Sequence, residues 1–278
     1  MNIAMLGGDA RMTMLSEMLA GGRHTVRTFG MLPGRGAGPA ATAREALCGA
    51  ELVLLPVPVS RDGVHIFAPH ADRPLPLASV LDDLPHGATL CGGSFSGEVR
   101  ALCCRRGICP VDLLEDEGVV LRNACLTAEG AVAAAAGRLS RALCDCRVGI
   151  LGYGRIGKRL CRLLSGFDAS VTVFARRPEA LEAARAAGAH GRLLAEATAE
   201  DFAALQVLYN TVPADTVAES LLGGAENLLC IELAGEHLPP PPAGHGELVR
   251  LPALPGRYAP ESAALALLGG LAPYLAAP

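Results

Sequence analysis

Three closely spaced glycines constrain the fold of this chain more than any other feature. Gly152, Gly154 and Gly157 form the pattern Gly-x-Gly-x-x-Gly directly after the apolar segment 147–151. Apolar side chains then recur at helical spacing, and a second apolar segment follows at residues 170–174. A strand, a glycine turn and a helix in this order is the context in which the pattern binds a dinucleotide pyrophosphate. We therefore predict a nicotinamide-dinucleotide-binding Rossmann domain in the second half of the chain.

Each glycine has a separate task in such a turn. Gly152 permits the tight turn, Gly154 lets the backbone approach the pyrophosphate, and Gly157 lets the helix close on the strand. The start of the helix adds unpaired N–H groups and the positive end of its dipole. A glycine-rich turn without a ligand is the alternative. The predicted phosphate-binding residues are Gly152, Tyr153, Gly154, Arg155, Ile156 and Gly157.

The end of the second strand indicates which coenzyme is bound. An NAD site usually has an acidic residue there for the ribose 2′-hydroxyl. This chain instead continues from Phe174 through Ala175 to Arg176 and Arg177. The planar guanidinium groups of arginines suit a 2′-phosphate. The sequence favours NADP, with NAD still open, and two ordinary solvated charges are the alternative reading of Arg176 and Arg177.

A loop after a later strand is the other part of the predicted cofactor site. Asn210, Thr211, Val212 and Pro213 follow the apolar segment that begins at Val207. At the edge where parallel strands end, this loop is expected near the nicotinamide ribose. A plain turn before the next helix is the alternative.

Composition excludes several classes of protein. The 278 residues carry a net charge of −4, which gives no basic field for nucleic acid or an anionic membrane. We expect no signal peptide and no transmembrane helix. The ten cysteines show no Cys-x-x-Cys pair and no zinc-finger spacing. We expect reduced thiols, no metal site and a cytoplasmic location, with a regulatory disulfide or an adventitious metal as the alternative.

Strands alternate with helices along both halves of the chain, which predicts parallel sheets. The predicted fold is α/β, with two Rossmann-like doubly wound domains. The expected domains are residues 1–126 with 255–278, and residues 127–254. A long alanine-rich helix over residues 127–143, with Thr127 as N-cap and Glu129 in its first turn, is expected to join them. A helix over residues 261–275 is expected to return to the first domain.

Several motifs together resemble the A subunit family of dipicolinate synthase, which makes pyridine-2,6-dicarboxylate in spore-forming bacteria. They occur in order over almost the whole chain. The matching segments are Gly7-Gly8-Asp9-Ala10-Arg11, Leu55-Pro56, Phe95-Ser96-Gly97, Asn123 with Thr127, Glu129 and Gly130, the glycine turn, Asn210-Thr211-Val212-Pro213, Leu254-Pro255-Gly256 and Ala259-Pro260. The family's Asp-Leu-Ala-Ser and Pro-Gly-Gly segments are replaced here by residues 231–238 and four prolines.

The resemblance implies an architecture like that of 2-hydroxyacid dehydrogenases and oxidation of dihydrodipicolinate to dipicolinate with NADP⁺. It also implies a B subunit similar to flavin-dependent decarboxylases, and the mother cell of a sporulating bacterium as the location. A homo-oligomer is a further possibility that the sequence leaves open.

A dianionic substrate requires cationic groups or N–H donors. Outside the cofactor domain we select Arg11 and Arg257 as guanidinium donors, with a solvated surface charge as the alternative for each. Donors of a backbone nest complete the set of substrate candidates, and for Ser96 a helix cap is the alternative. These donors are Ser94, Ser96 and Gly97.

The catalytic candidates are Glu129 and Asn123, and a helix-capping role competes for Glu129. His65, His70, His86 and His237 show no pairing that marks one of them as catalytic. Two other functions stay open as alternatives to dipicolinate formation. A 2-hydroxyacid dehydrogenase requires a paired histidine late in the cofactor domain, and neither His237 nor His245 has an evident partner. A non-catalytic cofactor-binding protein is the third reading.

Overall fold

The computed structural model describes residues 1–275, and the chain divides into two compact units. One unit comprises Met1–Asn123 with the chain from Ala259 onwards, and the other comprises Ala124–Tyr258. The bounds expected from the sequence are 1–126 with 255–278, and 127–254. Arg257 therefore lies in the second unit and not in the first, where we expected it.

The first part of the chain alternates short strands with helices. The elements are β1 (Asn2–Leu6), α1 (Ala10–Gly21), β2 (Thr25–Phe29), β3 (Gly38–Pro39), α2 (Ala43–Leu47), β4 (Leu52–Leu54), β5 (His65–Ile66), β6 (Leu75–Pro76), α3 (Leu77–Asp82), β7 (Thr89–Gly92), α4 (Gly97–Arg105) and β8 (Val111–Asp112). The remaining elements are α5 (Glu117–Ala136), β9 (Arg147–Leu151), α6 (Arg155–Gly166), β10 (Ser170–Ala175), α7 (Pro178–Ala186), β11 (His190–Leu193), α8 (Ala199–Ala203), β12 (Val207–Asn210), α9 (Glu219–Leu222), β13 (Leu228–Glu232), β14 (Gly246–Arg250), α10 (Leu254–Tyr258) and α11 (Pro260–Leu275).

The first unit is built on a parallel sheet with the strand order β3-β2-β1-β4-β7-β8. Side chains of β1 alternate between the two faces, so Ile3 and Met5 join one apolar cluster while Ala4 and Leu6 join another. The helix α11 packs on α1 and adds Leu267 to the first of these clusters. Burial on both faces explains why β1 is a continuous apolar run.

The second unit repeats this design. Its parallel sheet has the order β11-β10-β9-β12-β13-β14, which is the same 3-2-1-4-5-6 arrangement as in the first unit. Val148 and Ile150 of β9 face one apolar cluster, and Leu151 faces the other. The predicted α/β class with two doubly wound parallel sheets is confirmed.

The predicted helix over residues 127–143 is wrong at both ends. The helix α5 runs from Glu117 to Ala136. Its start is fixed by Asp116, whose carboxylate accepts the Val119 N–H at 2.9 Å, and the glycine at position 137 follows its end. Thr127 is therefore a buried mid-helix residue and not an N-cap. By length and composition α5 could cross a membrane, but half of its apolar window is buried within the chain.

Other differences involve elements with weak sequence patterns. The strand β11 contains His190 and Arg192 and lies at the sheet edge, so it lacks the apolar run of a central strand. The helix α9 begins only at Glu219, because residues 211–218 after β12 form an irregular segment.

Candidate functional site

A cavity of about 510 Å³ lies at the edge of the second sheet where the strands β9, β10 and β12 end, which we call the carboxyl edge. Open α/β sheets bind ligands at this edge, where the strand order reverses. The cavity is lined by Gly152, Tyr153, Gly154, Phe174, Ala175, Arg176, Arg177, Ala180, Leu194, Thr211, Val212, Pro213 and Thr216.

The glycine turn has the geometry that a dinucleotide requires. Gly152 has a φ of +89°, which disfavours any other residue. A Cβ on Gly157 would lie 2.3 Å from the Gly152 carbonyl oxygen, so α6 packs directly on the turn. A Cβ on Gly154 would meet nothing within 4 Å, and Gly154 lines the cavity. The open space is on the side where a pyrophosphate would approach the N-terminus of α6. Arg155 and Ile156 lie within α6 and do not line the cavity.

The end of β10 supplies the cations of the cavity. Arg176 and Arg177 are exposed, and Pro178 begins α7 immediately after them. Neither guanidinium has a hydrogen bond or an ion pair within residues 1–275. The described lining of the cavity contains no Asp or Glu. The cavity wall at this point is therefore cationic and available to a ligand.

The loop after β12 is held rigidly, and its residues divide into two groups. Thr211, Val212 and Pro213 line the cavity, and Thr211 Oγ1 donates to the Leu151 carbonyl at 2.7 Å. Asn210 is fully buried and does not line the cavity. Its side chain accepts the Val212 N–H at 3.0 Å and donates to the Val212 carbonyl at 3.2 Å. Asn210 thus holds the backbone of the loop in place, although it is buried and does not line the cavity.

A buried carboxylate organises the neighbouring loop. Glu232 is only 1% exposed and accepts hydrogen bonds from Asn210 Nδ2 at 2.9 Å, and from the N–H groups of Ala234, His237 and Leu238 at 2.6, 3.1 and 2.7 Å. These bonds fold the segment after β13 back towards the end of β12. Glu232 thereby fixes the conformation of the segment in which this chain departs from the family pattern.

The folded segment creates a histidine–aspartate pair that the sequence does not reveal. His237 Nδ1 lies 3.0 Å from Asp215 Oδ1. The His237 side chain is 36% exposed and that of Asp215 is 88% exposed. The next residue after Asp215, Thr216, lines the cavity. The expectation that His237 lacks a partner is therefore wrong, because its partner is 22 residues away in sequence and is reached only through the fold.

At the carboxyl edge of the first sheet, Arg11 is largely occupied by its own neighbour. Arg11 is 6% exposed, and its Nε and Nη2 donate to the two carboxylate oxygens of Asp9 at 2.9 and 2.8 Å. Arg11 Nη2 also donates to the Val57 carbonyl. Burial raises the pKa of the Asp9 carboxyl, but the hydrogen bonds and charge of Arg11 outweigh this and hold the pKa below its usual value. Within the described residues, Nη1 is the part of the Arg11 fork without a hydrogen bond.

The predicted backbone nest of the first unit holds an internal anion. Ser94 adopts a φ of +58°, and the N–H groups of Ser94 and Phe95 converge on the carboxylate of Asp112, each at 3.0 Å. The Asp112 side chain is only 5% exposed and also accepts Arg100 Nη2 at 2.8 Å. Ser96 caps α4 through the Val99 N–H at 3.3 Å. The nest is thus occupied by Asp112, and the donors that remain outside it are the Ser94 and Ser96 hydroxyls and the Gly97 N–H.

The other predicted residues lie on α5 and α10. Glu129 is exposed in the fourth turn of α5, and Asn123 lies six residues earlier in the same helix. Arg257 is exposed on α10, whose Leu254 packs into the core of the second unit. A Cβ on Gly130 would lie 2.9–3.0 Å from Tyr258 and Leu254 atoms, which explains the glycine where α10 meets α5.

The comparisons with known proteins agree with this division of the chain. Residues 2–114 match the family model of the N-terminal domain of the dipicolinate synthase A subunit. Residues 123–224 match that of the NAD-binding domain of D-isomer specific 2-hydroxyacid dehydrogenases. No curated protein sequence matches the chain.

Solved structures show the same fold over the full length. The dipicolinate synthase A subunit from Bacillus halodurans is 22% identical with a TM-score of 0.83. The match covers 99% of this chain and 98% of the Bacillus halodurans chain. Its counterpart from Bacillus subtilis is 21% identical with a TM-score of 0.81, at 98% and 95% coverage. A transhydrogenase from Sinorhizobium meliloti is 18% identical with a TM-score of 0.70, at 98% and 93% coverage.

The family models and the fold together support a nicotinamide cofactor in the cavity and an oxidoreductase at this coarse level. The resemblance seen in the sequence is confirmed: the chain carries the N-terminal domain of the dipicolinate synthase A subunit family, followed by an NAD-binding domain of the D-isomer specific 2-hydroxyacid dehydrogenase family.

Proposed function

We propose that this protein oxidises dihydrodipicolinate to dipicolinate with NADP⁺. The single observation that carries the proposal is the open cavity beside Gly154, with a cationic wall at Arg176 and Arg177, in a chain whose other domain is of the dipicolinate synthase A type. Aromatisation of the ring supplies much of the driving force, so the protein mainly has to position the reactants and neutralise charge.

The cofactor roles follow from the cavity. The N–H groups at the start of α6 bind the pyrophosphate, and the open side of Gly154 gives it room. Arg176 and Arg177 bind the 2′-phosphate through their guanidinium donors. Thr211, Val212 and Pro213 border the nicotinamide half. When bound, the oxidised nicotinamide accepts a hydride, and the chain's own groups take the accompanying proton.

The substrate carboxylates are assigned to donors of the first unit and to Arg257. The Nη1 edge of Arg11 is the part of that fork left for a ligand. The Ser94 and Ser96 hydroxyls and the Gly97 N–H add neutral donors. Glu129 and Asn123 remain the proposed catalytic residues.

A second candidate function is oxidation of a 2-hydroxy acid. One observation favours it: the pair of His237 and Asp215 at the carboxyl edge of the second sheet. An aspartate that holds Nδ1–H leaves the Nε2 lone pair as a proton acceptor, and this arrangement suits removal of a hydroxyl proton as hydride leaves.

A partner protein belongs to the proposal. The related Bacillus proteins are each named as one component of dipicolinate synthase. We propose that this chain assembles with a second, flavoprotein-like B subunit in the cytoplasm of the mother cell of a sporulating bacterium. If all activity were in that partner, this chain would only bind the cofactor. A homo-oligomer of this chain is the other assembly to be tested.

The decisive experiment measures products on the purified chain, alone and with a co-expressed partner. We expect dipicolinate and NADPH to form in equal amounts from dihydrodipicolinate. A panel of 2-hydroxy acids tests the second function in the same assay. Turnover of a hydroxy acid without dipicolinate formation would reverse the order of the two candidates, and turnover only with the partner would assign this chain a supporting role.

The coenzyme assignment is tested by isothermal titration. NADPH is expected to bind at least tenfold more tightly than NADH, because a charged hydrogen bond contributes about 1.5–3 kcal/mol. Arg176→Ala should remove most of that difference, whereas Arg162→Ala, an exposed arginine on α6, should preserve it. Equal affinities in the parent protein would contradict the NADP assignment.

A further inference from the structure

The loop that follows β4 carries an arginine with an unusual setting. The Arg61 guanidinium carbon lies over the Phe67 ring, 4.0 Å from its centre, which is a cation–π contact. Arg61 is exposed and has no hydrogen bond or ion pair with any residue in the described part of the chain. Its position is therefore set by the aromatic face, while its donors stay free.

The loop is fastened to the carboxyl edge of the first sheet at both of its ends. The Val59 N–H donates to the Gly93 carbonyl at 2.9 Å, and the Phe67 N–H donates to the Val59 carbonyl at 2.9 Å. The Gly8 N–H donates to the Phe67 carbonyl at 2.8 Å. Phe67 is thus tied to the turn after β1, next to the point between β1 and β4 where the strand order reverses. Ligands of open α/β sheets bind at this point.

The tip of the loop is also ordered internally. Asp62 Oδ1 accepts the Ser60 hydroxyl at 3.0 Å and the N–H groups of Val64 and His65 at 2.9 and 2.8 Å. Asp62 Oδ2 lies 2.8 Å from His65 Nδ1. The carboxylate of Asp62 is therefore used within the loop, and among the described contacts it makes no ion pair with Arg61.

Most of the charged anion-binding groups described at this edge are already engaged, and Nη1 is the part of the Arg11 fork that is left. The fork of Arg11 is held by Asp9, Arg100 is held by Asp112 and Glu115, and the nest of Ser94 and Phe95 contains Asp112. A phosphate ligand would need such a nest or several cations. A carboxylate needs one guanidinium fork.

We propose that Arg61, held by Phe67, is a carboxylate-binding arginine of the first unit in addition to Arg11, and that its ligand is a carboxylate group of the small anionic substrate. The assignment rests on the proposed function for the identity of that substrate. The contact with the ring restricts the Arg61 side chain before the ligand arrives, so less side-chain freedom is lost on binding. Lysine cannot reproduce this, because it lacks the planar fork.

The test is titration of the full chain with pyridine-2,6-dicarboxylate, with inorganic phosphate as a second probe. Arg61→Gln is expected to weaken dicarboxylate binding at least tenfold, and Arg61→Lys to recover only part of it. Phe67→Leu keeps the cation but removes the ring, and it should weaken binding severalfold. Arg105→Gln removes an exposed arginine from the far end of α4 and should change nothing.

Labelling with phenylglyoxal followed by mass spectrometry locates the ligand independently of the variants. The dicarboxylate is expected to protect Arg61 from modification and to leave Arg105 unprotected. Unchanged affinity in Arg61→Gln, stronger protection by phosphate than by the dicarboxylate, or no dicarboxylate binding by the parent protein would each overturn the proposal.

Steady-state kinetics separate this proposal from the proposed function. If the parent oxidises dihydrodipicolinate and Arg61→Gln leaves KM unchanged, the function stands and the arginine assignment is wrong. If the parent binds dicarboxylate through Arg61 without oxidising dihydrodipicolinate, the assignment stands and the reaction is wrong.

Discussion

The two parallel sheets of this chain have the same strand order, but their carboxyl edges are equipped in opposite ways. At the second edge the glycine turn is open beside Gly154, and Arg176 and Arg177 have no internal partner within the described chain. At the first edge Asp112 fills the backbone nest and Asp9 holds Arg11. The second edge is left open for a large anion, whereas at the first edge the protein's own carboxylates fill the nest and hold Arg11, and Arg61 is the donor that we propose for a substrate carboxylate.

The difference shows that strand order alone does not determine what an edge binds. Both turns after the first strand contain glycines, but a Cβ on Gly8 would lie 2.3 Å from Met12 Cγ, while one on Gly154 would meet nothing within 4 Å. In this chain two carboxylates, those of Asp9 and Asp112, pair anion-binding groups of the first edge internally. Exchanging or removing one such group at a time therefore tests the contrast between the edges.

The largest expected effect concerns the two histidine–aspartate pairs, one at each edge. His237 with Asp215 lies beside the cofactor cavity, and His65 with Asp62 lies in the loop of the first unit, with Nδ1 to oxygen distances of 3.0 and 2.8 Å. If the protein oxidises a 2-hydroxy acid at the second edge, as in the second candidate function, His237→Ala should lower kcat for that substrate by about a hundredfold or more, as loss of a general base does. His65→Ala should change kcat by less than about twofold on the same principle.

Chemical rescue distinguishes a proton-transfer role from a structural one. Added imidazole should restore part of the activity of His237→Ala and none of the small loss in His65→Ala. Asp215→Asn should lower kcat less than His237→Ala, because it changes the favoured tautomer and retains the ring. Equal losses in the two histidine variants would remove the distinction between the edges.

The second prediction concerns the backbone nest of Ser94 and Phe95 and removes the Asp112 carboxylate that fills it. Asp112→Ala leaves the Ser94 and Phe95 N–H groups without an acceptor and removes one partner of Arg100. We expect the free energy of unfolding to fall by about 2–3 kcal/mol, since unsatisfied buried donors are costly. Glu115→Ala removes the exposed partner of the same arginine and should cost less than about 1 kcal/mol.

Urea unfolding of both variants measures this difference. Inorganic phosphate should raise the Tm of Asp112→Ala more than that of the parent, because the vacated nest can then accept an external anion. Equal losses of stability in Asp112→Ala and Glu115→Ala would mean that the nest contributes nothing.

Of the two carboxyl edges, only the one in the second unit was largely predictable from the sequence. The second edge was predictable because its signal is local: the apolar run, the three glycines and the two arginines occupy short consecutive stretches. The first edge depends on Asp112, which is 18 and 17 residues from the N–H groups it accepts. Asp215 and His237 are 22 residues apart, and Glu232 acts mainly through backbone groups. No local pattern records such contacts.

The boundaries of α5 illustrate the same limit. Thr127 and Glu129 resemble an N-cap and an acidic first turn, but Asp116 provides the actual cap eleven residues earlier in the chain. Both patterns are good helix starts by local rules. The choice between them is made by packing, since Val119 and Ala128 are both buried on the helix.

The third prediction replaces one glycine by alanine in each of the turns that follow β9 and β1. Gly154 has extended φ and ψ of −81° and −161° and open space, so Gly154→Ala should leave Tm unchanged. The added methyl would occupy the approach of the pyrophosphate, and NADPH binding should weaken about tenfold, or about 1.4 kcal/mol. Gly8→Ala should do the reverse, because its φ of +111° and the contact with Met12 strain the fold. Thermal melting and titration calorimetry with NADPH on both variants decide whether Gly154 serves cofactor binding and Gly8 serves the stability of the fold.

The smallest effect concerns the pair of Asp9 and Arg11 and depends on pH. Because the folded-state pKa of Asp9 lies below its ordinary value, the ionised carboxylate stabilises the fold above about pH 4, and this contribution is lost as the pH falls through the folded-state pKa. Asp9→Asn should therefore cost about 1 kcal/mol at pH 7 and progressively less below pH 4. Unfolding in urea at several pH values measures the difference, with the exposed Asp72→Asn as the baseline.

A loss of stability that is constant with pH would show that the Asp9 charge contributes nothing and that only its geometry matters. The same variant also tests whether the first edge is closed by its own carboxylate. Without the Asp9 charge, the Arg11 fork loses its ionic partner and becomes available to a ligand. Asp9→Asn should then bind pyridine-2,6-dicarboxylate more tightly than the parent while it folds less stably. If dicarboxylate affinity falls together with stability, Asp9 holds Arg11 in its binding position, and the pairing at this edge prepares the site for the substrate instead of closing it.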